Sequence, residues 1–145
     1  MRRRMLLAGA ALLALPPARA GATKPEVAAA IQALTGGAKL RQGRIKLDIP
    51  LLVENGNAVA MTVSVPDAVP EAERIRSIHV FAEGNQNPNV INAFFGQRSG
   101  RPGFSTRIRL ATSQTVIAVA ACADGTFWTD SIELLVTLAA CIDEI

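Results

Sequence analysis

Two cysteines, one histidine and a few clustered charges are what this 145-residue sequence offers for chemistry. Cys141 sits in the closing run Ala139-Ala140-Cys141-Ile142-Asp143-Glu144-Ile145. Its thiolate is a nucleophile able to hold a group covalently, while Asp143, Glu144 and the terminal carboxylate are expected to disfavour that thiolate and to repel anions. Cys122 lies in an apolar run and reads as a small hydrophobe. His79 has no second ligand near it in sequence and reads as a surface or subunit-interface residue rather than a metal ligand. Trp128 reads as a packing residue, and Asp143 and Glu144 as solvated charges rather than acid/base groups. Arg107 and Arg109 leave one face of a strand, either as a solvated face or as an attraction for an anion or the acidic tail. No Ser/His/Asp set, Gly-rich phosphate loop or multi-cysteine metal spacing occurs, so no catalytic residue, metal ligand or resident cofactor is expected.

The elements that must position these residues begin behind an export leader. Residues 1–20, MRRRMLLAGAALLALPPARA, join a basic start to an apolar stretch and the small-x-small site Ala18-Arg19-Ala20. Arg3-Arg4 followed by Leu6-Leu7 fits a twin-arginine signal as well as an ordinary secretory one. The apolar stretch is too short to span a bilayer, so cleavage after Ala20 and a periplasmic location are expected, with no membrane anchor. Of fifteen Lys and Arg, four lie in residues 1–20; the remaining eleven face twelve Asp and Glu, a formal charge of −1. The mature chain therefore has no basic excess to attract nucleic acid or anionic lipid.

About 125 mature residues suit one domain with a single core. Half of the chain is hydrophobic but only 4% is aromatic, so that core should be aliphatic. Thr23-Lys-Pro-Glu26 is a capping box, Val27, Ala30, Ile31 and Leu34 recur at helical spacing, and Gly36-Gly37 stops the helix expected over 25–35. From there the period is two. Ile45, Leu47 and Ile49 alternate with Lys46 and Asp48; Val59, Met61, Val63 and Val65 with Ala60, Thr62 and Ser64; Ile78, Val80 and Ala82 with Ser77, His79 and Phe81; Ile108 and Leu110 with Arg107 and Arg109; and Ile132, Leu134, Val136 and Leu138 with Ser131, Glu133, Leu135 and Thr137. Residues 90–95 and 116–122 add two more apolar strands. About seven short strands after a single early helix predict an all-β, immunoglobulin-like antiparallel sandwich over 21–138, with 139–145 as a C-terminal arm.

Two cysteines in an exported chain would ordinarily form a disulfide. With Asp124-Gly125 as a two-residue hairpin tip, Cys122 pairs with Phe127 and position 141 falls level with position 108. That lies roughly 45 Å along the strand from Cys122, whereas a disulfide needs Cα atoms within about 7 Å. Cys141 is thus expected to be an unpaired thiol beyond the last strand, the placement of a carrier arm rather than of a catalytic cleft.

The stretches GNAVAMTVSV, IRSIHVFAEGNQNPNV and STRIRLATSQTVIAVAACADGTFW resemble SoxY, the sulfur-carrier subunit of the periplasmic Sox thiosulfate-oxidation system, over residues 24 to 138. The resemblance implies a non-enzymatic subunit that pairs with an immunoglobulin-like SoxZ subunit and holds sulfur intermediates covalently on a C-terminal cysteine, here Cys141. It implies transient contact with a c-type haem oxidase, a di-manganese hydrolase and a molybdenum–haem sulfane dehydrogenase. The family's arm is usually Gly-Gly-Cys-Gly-Gly; the corresponding stretch here has no glycine, with Ala139 and Ala140 before Cys141 and Ile142, Asp143 and Glu144 after it. The alternative reading is a binding or assembly subunit with altered carrier chemistry. A redox or metal role for Cys141, Cys122 and His79 together is disfavoured by the pairing geometry.

Overall fold

The computed structural model describes residues 24–138. The expected leader at 1–20, the capping residue Thr23 and the arm at 139–145 with Cys141 lie outside the described residues.

Helix α1, Lys24–Thr35, starts at the residue before Pro25 and ends where Gly36 and Gly37 take φ values of 64° and 86°, a left-handed stop that Cβ-bearing residues disfavour. Its apolar stripe is the one its spacing predicts. Val27 is buried, and Ala30, Ile31 and Leu34 pack with it over Phe81 and Val119.

Nine strands follow: β1 Leu40–Gln42, β2 Lys46–Asp48, β3 Leu52–Val53, β4 Val59–Ser64, β5 Ile75–Ala82, β6 Asn89–Phe94, β7 Gly103–Ile108, β8 Gln114–Cys122 and β9 Phe127–Val136. One sheet runs β1-β9-β8-β5-β6, with β3 also on β9; the other runs β2-β4-β7. Their inner faces meet in an aliphatic core that includes Leu47, Met61, Val63, Ile78, Val80, Ile108, Leu110, Val116 and Leu134. At about 1.5–3 kcal/mol per fully buried side chain, this layer supplies most of the driving force for folding. The molecule is the expected all-β sandwich, immunoglobulin-like in kind, with α1 on the outer face of the larger sheet.

Two strands beyond the expected seven, β1 and β3, are short and pair in parallel with β9, at Leu40↔Phe127 and Leu52↔Leu135. Between them the chain leaves for the second sheet, turned by Gly43 and Arg44 at φ 99° and 65°. The Asp130 carboxylate bridges that gap, accepting the Leu47 N–H of β2 at 2.8 Å. The expected alternation of β5 also needs correction, because Ser77, His79 and Phe81 are buried as well as Ile78, Val80 and Ala82. A register shift between Ile75 and Ser77 puts Ile75 on the same core face as Ile78. The final strand stops at Val136, two residues short of the expected run, and leaves Leu138 exposed.

Candidate functional site

The expected attachment point, Cys141, lies outside the described residues with Ala139, Ala140, Ile142, Asp143 and Glu144, so the site consists of the structure that launches them. β9 brings the chain to that point because it is the longest strand and is paired along both edges. At its end five polar contacts fix residues 136–138. Ser113 Oγ accepts the Val136 N–H at 2.8 Å, and the Val53 carbonyl accepts the Thr137 N–H at 2.9 Å. The Thr137 hydroxyl lies 3.3 Å from the carbonyls of both Val53 and Glu54. The Gly56 N–H donates to the Leu138 carbonyl at 2.8 Å, and the Gly56 carbonyl accepts from Leu110 N–H at the same distance. Residue 138 is thereby tied through Gly56 to Leu110, two residues past β7.

The loops beside it are held by amide side chains. Gln114 Oε1 accepts the Gly84 N–H, and its Nε2 donates to Asn85 Oδ1 and the Thr112 carbonyl. Asn85 in turn donates to the Arg109 carbonyl and accepts the Ala111 N–H. Gly84 is required here, because a Cβ would lie 2.7 Å from Thr112 Cγ2. Arg107 and Arg109 are both exposed, as expected; Arg107 pairs with Ala60 on the outer face of the three-stranded sheet.

Cys122 belongs to the opposite end. The β8–β9 hairpin pairs Ala121 with Phe127, and Cys122 N–H donates to the Thr126 carbonyl. Both lie one residue away from the expected register. The loop is the three residues Ala123-Asp124-Gly125, with Gly125 at φ 82°, rather than a two-residue tip. Asp124 Oδ1 accepts the Thr126 N–H and hydroxyl at 3.0 and 2.6 Å, which holds the carboxyl below its usual pKa. Cys122 is a buried free thiol. Burial pushes its pKa up, with Thr126 and the Arg44 guanidinium drawing it partly back. From its partner Thr126 to Leu138 the strand covers about 40 Å. Three further residues span at most about 11 Å, so no register lets position 141 reach Cys122.

Around Cys122, Arg44 pairs with Glu73 at 3.0 Å and lies 4.4 Å from the centroid of the Trp128 ring. Its Nη1 is buried with no hydrogen-bond acceptor, and the indole face offsets that charge. Trp128 is the expected packing residue; Arg44 as its cover was missed, and the Gly43-Arg44 kink that aims it has no signature beyond the glycine.

His79 is corrected from a surface position to a buried one, 8% exposed. It points to the outer face of the sheet, but Phe94 of the neighbouring β6 covers it edge-on, with ring centroids 5.8 Å apart. Nδ1 and Asn92 Oδ1 share a hydrogen bond at 2.6 Å, and Nε2 and the Ser77 hydroxyl share one at 2.9 Å. Both ring nitrogens are engaged within the fold. Among the described residues no group of three or more His, Cys, Asp or Glu side chains could hold a metal ion, and no helix is long and apolar enough to cross a membrane.

The architecture is that of the sandwich seen in superoxide reductases. The neelaredoxin from Ignicoccus hospitalis is similar, with 18% identity, 80% of this chain and 94% of that one covered, and a TM-score of 0.56. A putative superoxide reductase from Thermotoga maritima has 21% identity, covering 68% and 87%, at 0.54. The enzyme from Nanoarchaeum equitans has 17% identity, covering 66% and 100%, at 0.53. At such identities the likeness is one of fold. No curated protein matches the chain. A family model does: that of the sulfur oxidation protein SoxY matches residues 31–141. The chain belongs to the SoxY family, whose members are carriers in sulfur oxidation rather than catalysts.

Proposed function

We propose that this chain carries inorganic sulfur covalently on Cys141 in the periplasm, as the companion of a SoxZ-like subunit. The observation that supports this most is that the family match runs to residue 141, three residues past the pinned Leu138. A thiol on so short a lead keeps its base fixed while its tip enters another protein's cleft. In the proposed cycle an oxidase joins the Cys141 sulfur to the sulfane sulfur of an anion such as thiosulfate. The thiol loses its proton, a sulfur–sulfur bond forms, and two electrons pass to the oxidase. Hydrolysis then releases sulfate and leaves sulfane sulfur on Cys141, to be oxidised or passed on. This chain supplies the nucleophile and its placement; the partners supply the redox and hydrolytic chemistry, and no resident cofactor is required.

Intact-protein mass spectrometry tests this on mature chain purified without reductant from native cells grown on reduced sulfur. Reductant-labile additions of sulfur or sulfonate are expected, and none in Cys141→Ser. A wild-type chain bearing only an unmodified thiol or a protein–protein disulfide would instead support a binding or assembly subunit. The same sample, weighed for loss of residues 1–20, tests export.

A further inference from the structure

The β8–β9 hairpin is sealed, but beside it a cavity of about 220 Å³ opens under the loops that follow β4 and β6. Val65 and Ile75 line it and belong to the buried core, so it reaches the space between the two sheets; the half-buried Val69 and Phe95 complete an apolar lining. Its walls are built in advance. After β6 the Gly96 N–H donates to Ser99 Oγ at 2.8 Å, the Ser99 N–H donates to the Gly96 carbonyl at 3.2 Å, and Gly100 turns the chain at φ 70°. Arg74 and Arg101 also border the cavity. The Arg74 side chain is only 25% exposed, yet its guanidinium makes no hydrogen bond among the described residues. Glu71 Oε1 stands 3.7 Å from Arg74 Nε, too far for one. Asp67 and Glu71 border the cavity as well, but both are exposed, with the Glu71 side chain at 82%, and water screens them. The half-buried cation therefore sets the charge of the site.

We propose that this cavity binds a small amphipathic carboxylate, its hydrocarbon part against Val65, Val69, Ile75 and Phe95 and its carboxylate on the Arg74 guanidinium. The reading does not depend on what Cys141 carries. Size limits the ligand first. A hole of about 150 Å³ takes benzene and drug-sized ligands need roughly 300 Å³ or more, so a hydrocarbon part of about six carbons suits the space. Charge limits it next. A guanidinium is always ionised and presents its N–H donors as a planar fork that a carboxylate meets with two parallel hydrogen bonds. Nothing in the chain occupies that fork on Arg74, and a ligand that does so gains charge-assisted bonds beside an apolar lining where water competes less. An uncharged hydrocarbon would leave the fork unused, and a bare inorganic anion would leave the lining wet. Only a ligand with both parts uses the whole site.

The test is calorimetric titration of hexanoate into the mature chain, in the complex in which it purifies, with amide NMR shifts to locate the ligand. Saturable binding with a Kd of about 1 mM or tighter is expected, with the largest shifts at Val65, Ile75 and Phe95. Hexanamide, which lacks the charge, and acetate, which lacks the chain, should each bind at least about tenfold more weakly. Arg74→Gln should weaken hexanoate by at least about tenfold. Arg98→Gln removes the same charge from the same loop region but does not border the cavity, and should leave the Kd unchanged. Arg74→Lys keeps the charge and loses the fork; its weakening tests the geometry if Arg74→Gln lowers the thermal midpoint. Absence of saturable binding overturns the proposal. So does equal binding of hexanamide, which would make the cavity a plain apolar hole. Equal weakening by Arg74→Gln and Arg98→Gln, or shifts centred elsewhere, would reduce the effect to general surface charge and overturn it too.

Discussion

The two ends of the sandwich treat their backbone and side chains differently. At the hairpin end everything turns inward: Cys122 is buried, Arg44 spreads over Trp128 and pairs with Glu73, and Asp124 ties its own loop through Thr126. At the β9 end the backbone is equally well fixed, by Ser113, Val53 and Gly56, yet four leucines stay in water. Rigidity and closure are therefore separate properties. The hairpin end has both; the β9 end has rigidity alone, the condition of a mount rather than of a seal.

The sharpest break in that contrast lies between adjacent residues. Leu134, 1% exposed, and Leu135, 63% exposed, differ only in the face of β9 they leave. Leu134→Ala should lower unfolding free energy by about 2–5 kcal/mol in urea denaturation, and Leu135→Ala by no more than about 0.5 kcal/mol. Equal losses would mean that the β9 end is packed as tightly as the core.

A smaller effect is expected at Cys122. Cys122→Ser should lower stability by about 1–2 kcal/mol, through a hydroxyl placed in an apolar setting. In a Cys141→Ser background the native Cys122 thiol should alkylate at least about a hundredfold more slowly than in denaturant. Because the folded thiol pKa is raised, its contribution to stability is complete below the unfolded thiol pKa and is lost as pH rises through the folded value. Cys122→Ala should remove that part of the alkaline fall. Alkylation as fast in the folded as in the unfolded chain would dissolve the distinction between sealed and open ends.

The smallest effect concerns the tail's acidity. Asp143→Asn/Glu144→Gln should speed alkylation of Cys141 at pH 7 by about two- to threefold, the scale of exposed, screened charges. An unchanged rate would show that these carboxylates do not tune the thiol.

The sandwich was legible because its core-facing runs carry their own period: Val59 to Val65 along β4, and Ile45 to Ile49 through the short β2 and past both its ends, each bury every second residue. The strands β1 and β3, three and two residues long, hold too few side chains to show a period and exist because the edge of β9 offers hydrogen bonds. His79 was misread for a related reason. Its outward register is local and was correct, but its burial comes from Phe94 and Asn92, thirteen and more residues away. The hairpin slip has a chemical source, since Asp-Gly favours a two-residue tip and also a three-residue loop with glycine in the left-handed position. At the site, a cysteine beyond the last strand could be found in the sequence. The clamp at its root could not, because Leu52 meets Leu135, and Val53 meets Thr137, only through a parallel pairing across more than eighty residues.

The clamp on residues 136–138 has a mechanical consequence. A tug on the tail pulls β9 along its own axis, and the bonds to Val53, Gly56 and the flanking strands lie across that axis. They are loaded together in shear rather than peeled one at a time. Force applied at the tip, by a partner gripping or releasing the chain, is spread over the whole strand. The end of the molecule can be pulled hard without the sheet beginning to unzip.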